Sequence, residues 1–350
     1  MLFILVAVMV VLLFAGLPVA FGLGATGAAG FYALLGGIDS FAQIPLIAYK
    51  SMDDFVLSSI PMFILVSHIL LKGKVGADLF EVANKWVRHF PGGMGVATIL
   101  ACAVFAAISG SSVATAITIG TVAIPEMLKR NYPRPLVLGL VAGGGTLGIL
   151  IPPSIPMILY GAITGESVGA LFIAGVVPGI LLTGLFILYV VLFAAKNVPP
   201  QEPAPWAERL DGLKRSSWGL FLPVLIIGGI YSGMFTPTEA AAVGVVYSLF
   251  ITFCIYKTLT WRDMSSILLD TVRSNAMILA IIVGAMLFGF VLTILRLPQE
   301  LTEFVTSFNL NRWVVFLAIN ALLLCLGCIL ETVSIILITV PILFPLITSL

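Results

Sequence analysis

Glu331 is the only charged residue in the stretch Leu317–Leu346. It sits in Leu330-Glu331-Thr332-Val333-Ser334, followed by Thr339 and Pro341. The segment looks like a weaker second edition of an earlier apolar stretch, 98–127, built around Ser109-Gly110-Ser111-Ser112 with Thr115 and Thr118 beyond. Where glycine turns a chain, carbonyls are freed from helix bonding, and together with serine and threonine hydroxyls they form an oxygen set suited to a hard cation. Small hydroxylated residues also let helices approach closely, which is the structural alternative for the serine tip. Glu331 can hold a cation, bridge to the first tip or exchange a proton. Equally, it can be a structural carboxylate accepting N–H bonds at a helix start.

A third group is Gly143-Gly144-Gly145-Thr146-Leu147-Gly148-Ile149-Leu150-Ile151-Pro152-Pro153-Ser154. Gly143, Gly145 and Gly148 match the dinucleotide fingerprint by letter, but the surroundings are apolar throughout and no soluble strand precedes them. The glycines and the double proline instead break a helix in mid-course. A true break exposes two helix ends whose dipoles and loose carbonyls can hold ions or an anionic solute; a simple proline kink is the plainer alternative. The fourth group, Phe235-Thr236-Pro237-Thr238-Glu239-Ala240-Ala241-Ala242, reads as a helix start, capped by Thr236 or Thr238 with Pro237 and Glu239 in its first turn.

The remaining reactive residues are sparse. Cys325 and Cys328 have the spacing of a redox or metal motif, but with Cys102 and Cys254 they lie in apolar runs and read as packing residues. His68 and His89 are too scattered for a metal site. No hydrolytic triad, phosphate-binding loop or ATPase motif is present, so an uphill process would draw on an ion gradient. An intramembrane hydrolase using Ser109 or Ser111 would need a base, and no histidine or aspartate lies in those segments.

These groups need elements to hold them, and composition says which kind. The chain is 60% hydrophobic and 9% charged, with a mean hydropathy of +1.18, whereas soluble domains carry about 25% charged residues. Lipid must therefore be its main solvent. A net charge of +1 leaves no basic footprint for nucleic acid. Met1–Gly24 lacks the basic start of a signal peptide and reads as a retained membrane helix. At ~20 apolar residues per crossing, candidate membrane segments are 1–18, 19–37, 54–73, 92–128 as a pair, 135–164, 167–195, 217–233, 236–256, 275–295 and 312–349 as a pair. Each pair is read as a re-entrant hairpin, two full crossings being the alternative for 92–128. With the N-terminus outside and both pairs re-entrant, 14 of the 17 basic residues are cytoplasmic and only Lys50, Arg296 and Arg312 lie outside, as the positive-inside rule expects.

That topology contains a symmetry. Segment 54–73, the amphipathic stretch 77–89 and the first hairpin are followed later by 275–295, the amphipathic stretch 297–308 and the second hairpin, in the same order with opposite orientation. Inverted repeats of this kind build many secondary transporters. The amphipathic stretches fit helices lying in the membrane interface, or ordinary loop helices. The expected organisation is an all-α polytopic membrane protein with N-terminal scaffold helices in 1–53. A first repeat in 54–164 contains hairpin 92–128 and broken helix 135–164. Scaffold helices in 165–256 carry a Pro-rich cytoplasmic linker at 196–217, and a second repeat occupies 257–350 with hairpin 312–349.

At these motifs the chain resembles the large membrane subunit of the tripartite ATP-independent periplasmic (TRAP) transporters. The resemblance covers nearly all 350 residues and is most specific at Ser109–Met127, Gly144–Ser154, Phe235–Ala242 and Gly327–Pro345. It implies an elevator-type inverted-repeat fold in a bacterial or archaeal cytoplasmic (inner) membrane. It implies two partners, a small four-helix membrane subunit and a periplasmic substrate-binding protein. It implies sodium-coupled import of a small organic acid of the dicarboxylate, keto acid or sialic acid type. Carried onto this chain, it implies Na+ ligands at Ser109, Gly110, Ser112, Gly145, Thr146 and Gly148, and at a second site of Glu331, Thr332 and Ser334. The substrate would contact Ser111, Ser112, Thr115, Pro152, Pro153 and Ser154. Similar proteins continue past the second hairpin into another broken helix with a Thr-Pro-Pro-type motif. A chain ending at Leu350 is therefore expected to lack half of the second ion site and not to transport alone. A passive channel or exporter of small anions is the alternative reading; it would need a continuous polar stripe, against which the sparse charges argue, or an open serine-lined pore.

Overall fold

The structure is a computed structural model that describes residues 2–194, 200–308, 311–328 and 330–349. Lys196 to Pro199 of the expected linker, Ile329 of the second tip, and Met1 and Leu350 lie outside the described residues. The described residues form α-helices with short 3₁₀ and π turns, and no strand. In chain order they begin with α1 (Leu2–Phe14), α2 (Val19–Leu34), α3 (Gln43–Met52), α4 (Ser59–Lys72) and α5 (Val75–Val87). The first hairpin is α6 (Gly93–Ser109) and α7 (Ser112–Lys129), followed by the broken pair α8 (Arg134–Leu150) and α9 (Ile155–Thr164). Then come α10 (Val168–Tyr189), α11 (Trp206–Tyr231), α12 (Pro237–Phe250) and α13 (Trp261–Ile294). The chain closes with α14 (Leu297–Ser307) and the second hairpin, α15 (Arg312–Gly327) and α16 (Thr332–Thr348).

Among the described residues, five helical stretches are long and apolar enough to cross a membrane: 134–164, 168–192, 206–231, 237–255 and 261–294. Their outer faces are oily, as is that of the second hairpin. Val177, Ile180 and Leu317 are between 68% and 73% exposed, a pattern that suits lipid and not water. The helices of the two hairpins are shorter. Seventeen residues, the length of α6 and of α16, span about 25 Å at 1.5 Å per residue, less than a bilayer core.

The chain divides into two compact units. One comprises 1–57, 159–166 and 273–350, the other 58–158 and 167–272. In the first, Phe31 of α2 is fully buried and stacks on Phe290 of α13 with ring centroids 5.4 Å apart. Lipid tails are as apolar as leucine, so close packing has to supply what water exclusion supplies elsewhere. Gly27 allows it: a Cβ there would stand 2.9 Å from the Phe288 backbone nitrogen. The second hairpin packs through Val315, Ile319, Leu343 and Leu346, with Leu301 and Val305 of α14 laid against them.

In the other unit, α5 has the amphipathic pattern read from the sequence. Its apolar residues Val75, Leu79, Phe80, Val82 and Val87 are buried, and it packs on α6 and α11. Asp78 pairs with Arg215 of α11 at 3.3 Å, and Glu81 pairs with Lys85 at 2.7 Å. Burial pushes the Asp78 carboxyl above its usual range, and the Arg215 charge opposes that rise. Being partly exposed, such pairs fix orientation more than they add stability.

The repeat of elements is visible along the chain. An apolar helix, an amphipathic helix and a hairpin occur as α4, α5, α6/α7 and again as α13, α14, α15/α16, although α4 has 14 residues and α13 has 34. Each amphipathic helix follows a basic residue in the left-handed region, Lys74 at φ 58° and Arg296 at φ 54°. Each second hairpin arm carries an internal proline, Pro125 in α7 and Pro341 and Pro345 in α16.

Three elements depart from the sequence reading. Residues 43–52 form α3, which no membrane segment anticipates, because Pro45 and Lys50 interrupt its apolar run. The polar stretch read as a linker is helical from Trp206 onward: Pro205 occupies the N-cap and Ala207 to Leu213 are mostly strong helix formers. The segment expected at 275–295 begins earlier, at Trp261, with Asp263 in its first turn accepting from the Thr260 N–H at 2.8 Å.

The start of α12 is built as its sequence suggests. The Thr236 hydroxyl accepts from the Glu239 N–H at 3.3 Å, and the Glu239 carboxylate accepts from the Thr236 N–H at 2.8 Å, a reciprocal capping box. Replacing the cap by Thr236→Ala is expected to cost about 1 kcal/mol. Denaturant unfolding of the purified protein in mixed micelles would read this, and Thr236→Ser should recover most of the loss.

Candidate functional site

Pro152 and Pro153 have no N–H, so the carbonyls of Gly148 and Ile149 lose the donors they would use in a continuous helix. The chain answers locally for one of them: the Ser154 hydroxyl donates to the Ile149 carbonyl at 2.6 Å. The break between α8 and α9 then spans 151–154, with Pro152, Pro153 and Ser154 all buried.

The first hairpin tip fits into this break. Gly110 ends α6 in the left-handed conformation at φ 62°, its N–H returning to the Ala106 carbonyl. Ser111 starts α7 as N-cap, its hydroxyl accepting from the Ala114 N–H at 3.4 Å. The Gly110 carbonyl accepts from the N–H of Ile155 at 3.2 Å, so the α6 end and the α9 start complete each other's backbone bonding. This contact leaves no room for side chains. A Cβ at Gly110 would stand 2.6 Å from the Pro153 carbonyl oxygen, and one at Gly148 would overlap the Ser111 carbonyl oxygen. Gly145, one turn back on the same face, would meet the Ala116 Cβ at 2.8 Å and the Ser112 carbonyl at 3.1 Å.

Around the junction lies a buried chain of neutral oxygens. Ser109 and Thr115 are fully buried and their hydroxyls are 3.0 Å apart. Thr115 donates to the Ser111 carbonyl at 2.8 Å, so the Ser109 hydroxyl is the donor within that pair. The Ser109 carbonyl accepts from the Ser67 hydroxyl of α4 at 2.8 Å. Sequence reasoning misses Ser67; its only signal is a serine beside His68 within an apolar helix.

The structure thus gathers Ser109, Gly110, Ser111, Ser112, Thr115, Gly145, Gly148, Pro152, Pro153 and Ser154 in one region of one unit. Thr146 is different. It is exposed and its hydroxyl turns back to the Gly143 carbonyl at 2.6 Å, because only the face of α8 holding Gly145 and Gly148 meets the tip. Thr118, a turn further along α7, has a buried hydroxyl without a partner.

The second tip belongs to the other unit. Glu331 is the N-cap of α16 in extended conformation and forms no close cap hydrogen bond, although the N–H groups of Val333 and Ser334 act on its carboxylate. Thr332 is half-buried, and the Ser334 hydroxyl is buried without a partner. Among the described residues no three His, Cys, Asp or Glu side chains are grouped as metal ligands.

A family described as tripartite ATP-independent periplasmic transporter, DctM component, matches residues 6–350. The chain belongs to this family. As a TRAP large permease it is a multi-pass protein of the inner membrane. It is 43% identical to the C4-dicarboxylate TRAP transporter large permease protein DctM of Pseudomonas aeruginosa over 314 residues, which is 89% of this chain and 73% of that protein. It is 36% identical to the sialic acid TRAP transporter large permease protein SiaM of Vibrio cholerae, over 95% of this chain and 78% of the relative. It is 33% identical to the ectoine TRAP transporter large permease protein TeaC of Halomonas elongata, over 98% and 80%.

The TRAP permease junction makes a steric prediction with an internal control. Gly148→Ala is expected to push the tip out of the break and destabilise the protein by about 1–3 kcal/mol. Gly139→Ala, on the same helix with nothing within 4 Å of its new methyl, should be neutral or slightly stabilising. Thermal unfolding of the two variants side by side would decide; equal melting temperatures would refute the close seating of the tip.

Proposed function

We propose that this chain serves in sodium-coupled import of a small organic acid, together with the partners of a TRAP system, and that the first hairpin tip and the α8/α9 break form its ion and substrate site. The observation that carries the reading is the junction itself: Gly110 bonded to Ile155, and the Ser111 carbonyl against Gly148. Its donors are neutral hydroxyls and carbonyls with no carboxylate among them, which suits a hard monovalent cation better than a divalent one. Ser109, Ser111 and Thr115, with the undonated carbonyl of Gly148, are the residues that would hold Na+. Bound there, the ion supplies a positive charge beside the two helix ends. A solute carboxylate would draw on that charge and on the N-terminus of α9 at Ser154.

The second tip has the makings of another cation site. A buried hydroxyl without a partner costs ~1–3 kcal/mol, and Ser334 carries one within a turn of the Glu331 carboxylate. The substrates named for the relatives, a C4-dicarboxylate, a sialic acid and ectoine, all bear a carboxylate. A periplasmic binding protein would deliver the solute and a small membrane subunit would complete the assembly. Tip and break share a backbone hydrogen bond, so they would travel together, as an elevator mechanism requires.

Uptake into proteoliposomes, with the binding protein and small subunit present, tests the reading. Accumulation should follow an inward sodium gradient and collapse when the gradient is removed. Thr115→Val removes a hydroxyl without changing shape and should raise the half-saturating sodium concentration about tenfold, a change of ~1.4 kcal/mol. Uptake indifferent to sodium would refute the coupling.

A further inference from the structure

The unit formed by 1–57, 159–166 and 273–350 contains a cavity of about 460 Å³ whose lining includes none of the residues assigned to the proposed ion and substrate sites. That volume is in the range of small-molecule sites, as is its largely apolar wall, built from residues such as Leu337 and Phe344 of α16 and Ala285 of α13. Its polar residues are few: Lys50, Ser51 and Asp54 near α3, Thr164 at the end of α9 and Thr293 on α13.

Their hydrogen bonds define what the cavity can recognise. The Ser51 hydroxyl donates to the Ala48 carbonyl at 2.9 Å, Thr164 to Tyr160 at 2.8 Å and Thr293 to Gly289 at 2.9 Å. A hydroxyl has a single hydrogen, so each of these three has already committed it and offers only lone pairs. Asp54 accepts from the Val56 N–H through Oδ1 at 2.8 Å, which leaves Oδ2 as one more acceptor. Lys50, which is exposed, is the only cationic side chain in the lining. The wall therefore presents one positive donor and several acceptors.

We infer that this cavity is a second organic-anion site, selective for a solute with one carboxylate and several hydroxyl or ammonium donors. Lys50 takes the carboxylate. The hydroxyl oxygens and Asp54 take the solute's donors. A dicarboxylate is disfavoured, because its second carboxylate would face lone pairs and the Asp54 charge with no cation to answer it. In the orientation favoured by the basic residues, Lys50 lies on the outer side, where an incoming solute would first meet the chain. The inference rests on the reading of this chain as an organic-acid importer, and it adds a place and a chemical preference to it.

Calorimetric titration of the chain in lipid nanodiscs tests the inference, with gluconate as the hydroxylated monocarboxylate and succinate as the dicarboxylate. Gluconate should bind more tightly than succinate. Lys50→Gln should weaken gluconate about tenfold or more, and Ala285→Phe, which fills the cavity, should abolish binding. Gly139→Ala, outside this cavity and outside the proposed ion and substrate sites, should leave gluconate binding unchanged. Failure of gluconate to bind, succinate binding as tightly, or indifference to Lys50→Gln would each overturn the proposal. Because Lys50 is exposed its replacement should fold normally, and thermal unfolding of the same samples would show this. Sodium-driven uptake is scored separately: its failure would sink the transport reading without touching a Lys50-dependent binding result, and the reverse also holds.

Discussion

A backbone surrounded by lipid has nowhere to send an unpaired carbonyl or N–H, and the first hairpin tip and the α8/α9 break of this chain answer to that constraint. The hairpin tip and the α8/α9 break each leave peptide groups unbonded, and either would be costly alone. Together they cancel part of the cost. The Ile155 N–H, an orphan at the start of α9, reaches the Gly110 carbonyl, an orphan at the end of α6. Ser154 and Ser67 hydroxyls answer the Ile149 and Ser109 carbonyls. Two discontinuities thus become one junction, and the backbone polarity that remains is gathered in a small volume.

The same constraint explains the glycines. A carbonyl can be shared between tip and break only if the two backbones nearly touch, and at Gly148 and Gly110 the space for a methyl group is taken by another residue's carbonyl oxygen. Gly139 and Gly184, on helices of the same unit, have no such neighbour. Glycine at the junction is a packing requirement, as it is at Gly27 between α2 and α13, whereas at Gly139 and Gly184 there is open space for a side chain. The run Gly143 to Gly148 is therefore not uniform in meaning: Gly145 and Gly148 face the tip, and Thr146 between them does not.

Local chemistry makes much of this legible in the sequence. Ser109-Gly110-Ser111-Ser112 marks a turn with hydroxyls, Pro152-Pro153 marks a break, and Thr236-Pro237-Thr238-Glu239 marks a cap, because each is a local effect of φ restriction, missing donors or short-range side-chain bonding. The paired order of α4–α7 and α13–α16 follows from hydropathy and charge. The features that escape a reading of the sequence are non-local or polar. Ser67 gains its role from Ser109, 42 residues away, and no local pattern marks it. Helix α3 is too short and too polar for a span-length window. The α13 start at Trp261 escapes because its first turns are polar and are held by Thr260 and Asp263, whereas an apolar run marks only the later part of the helix. The Lys50 cavity brings together residues from four separate helices or their ends, so its donor and acceptor balance exists only in three dimensions.

The two hairpins share a backbone plan and differ in what they place on it. Ser111 and Glu331 are both N-caps in extended conformation, and the helices they start are nearly equal in length, 18 residues and 17. At the first tip the cap is neutral, its hydroxyl bonds its own helix, and Thr115 lies four residues on with a second hydroxyl that bonds back to the Ser111 carbonyl. At the second tip the cap is a carboxylate, the position four residues on is Ile335, and the free hydroxyl is Ser334. Under the proposed cation-site reading, a neutral tip would release a cation with little electrostatic work, whereas a tip bearing a carboxylate would hold one more strongly. Duplicating the plan while changing one cap therefore gives two tips with the same backbone plan and different charge.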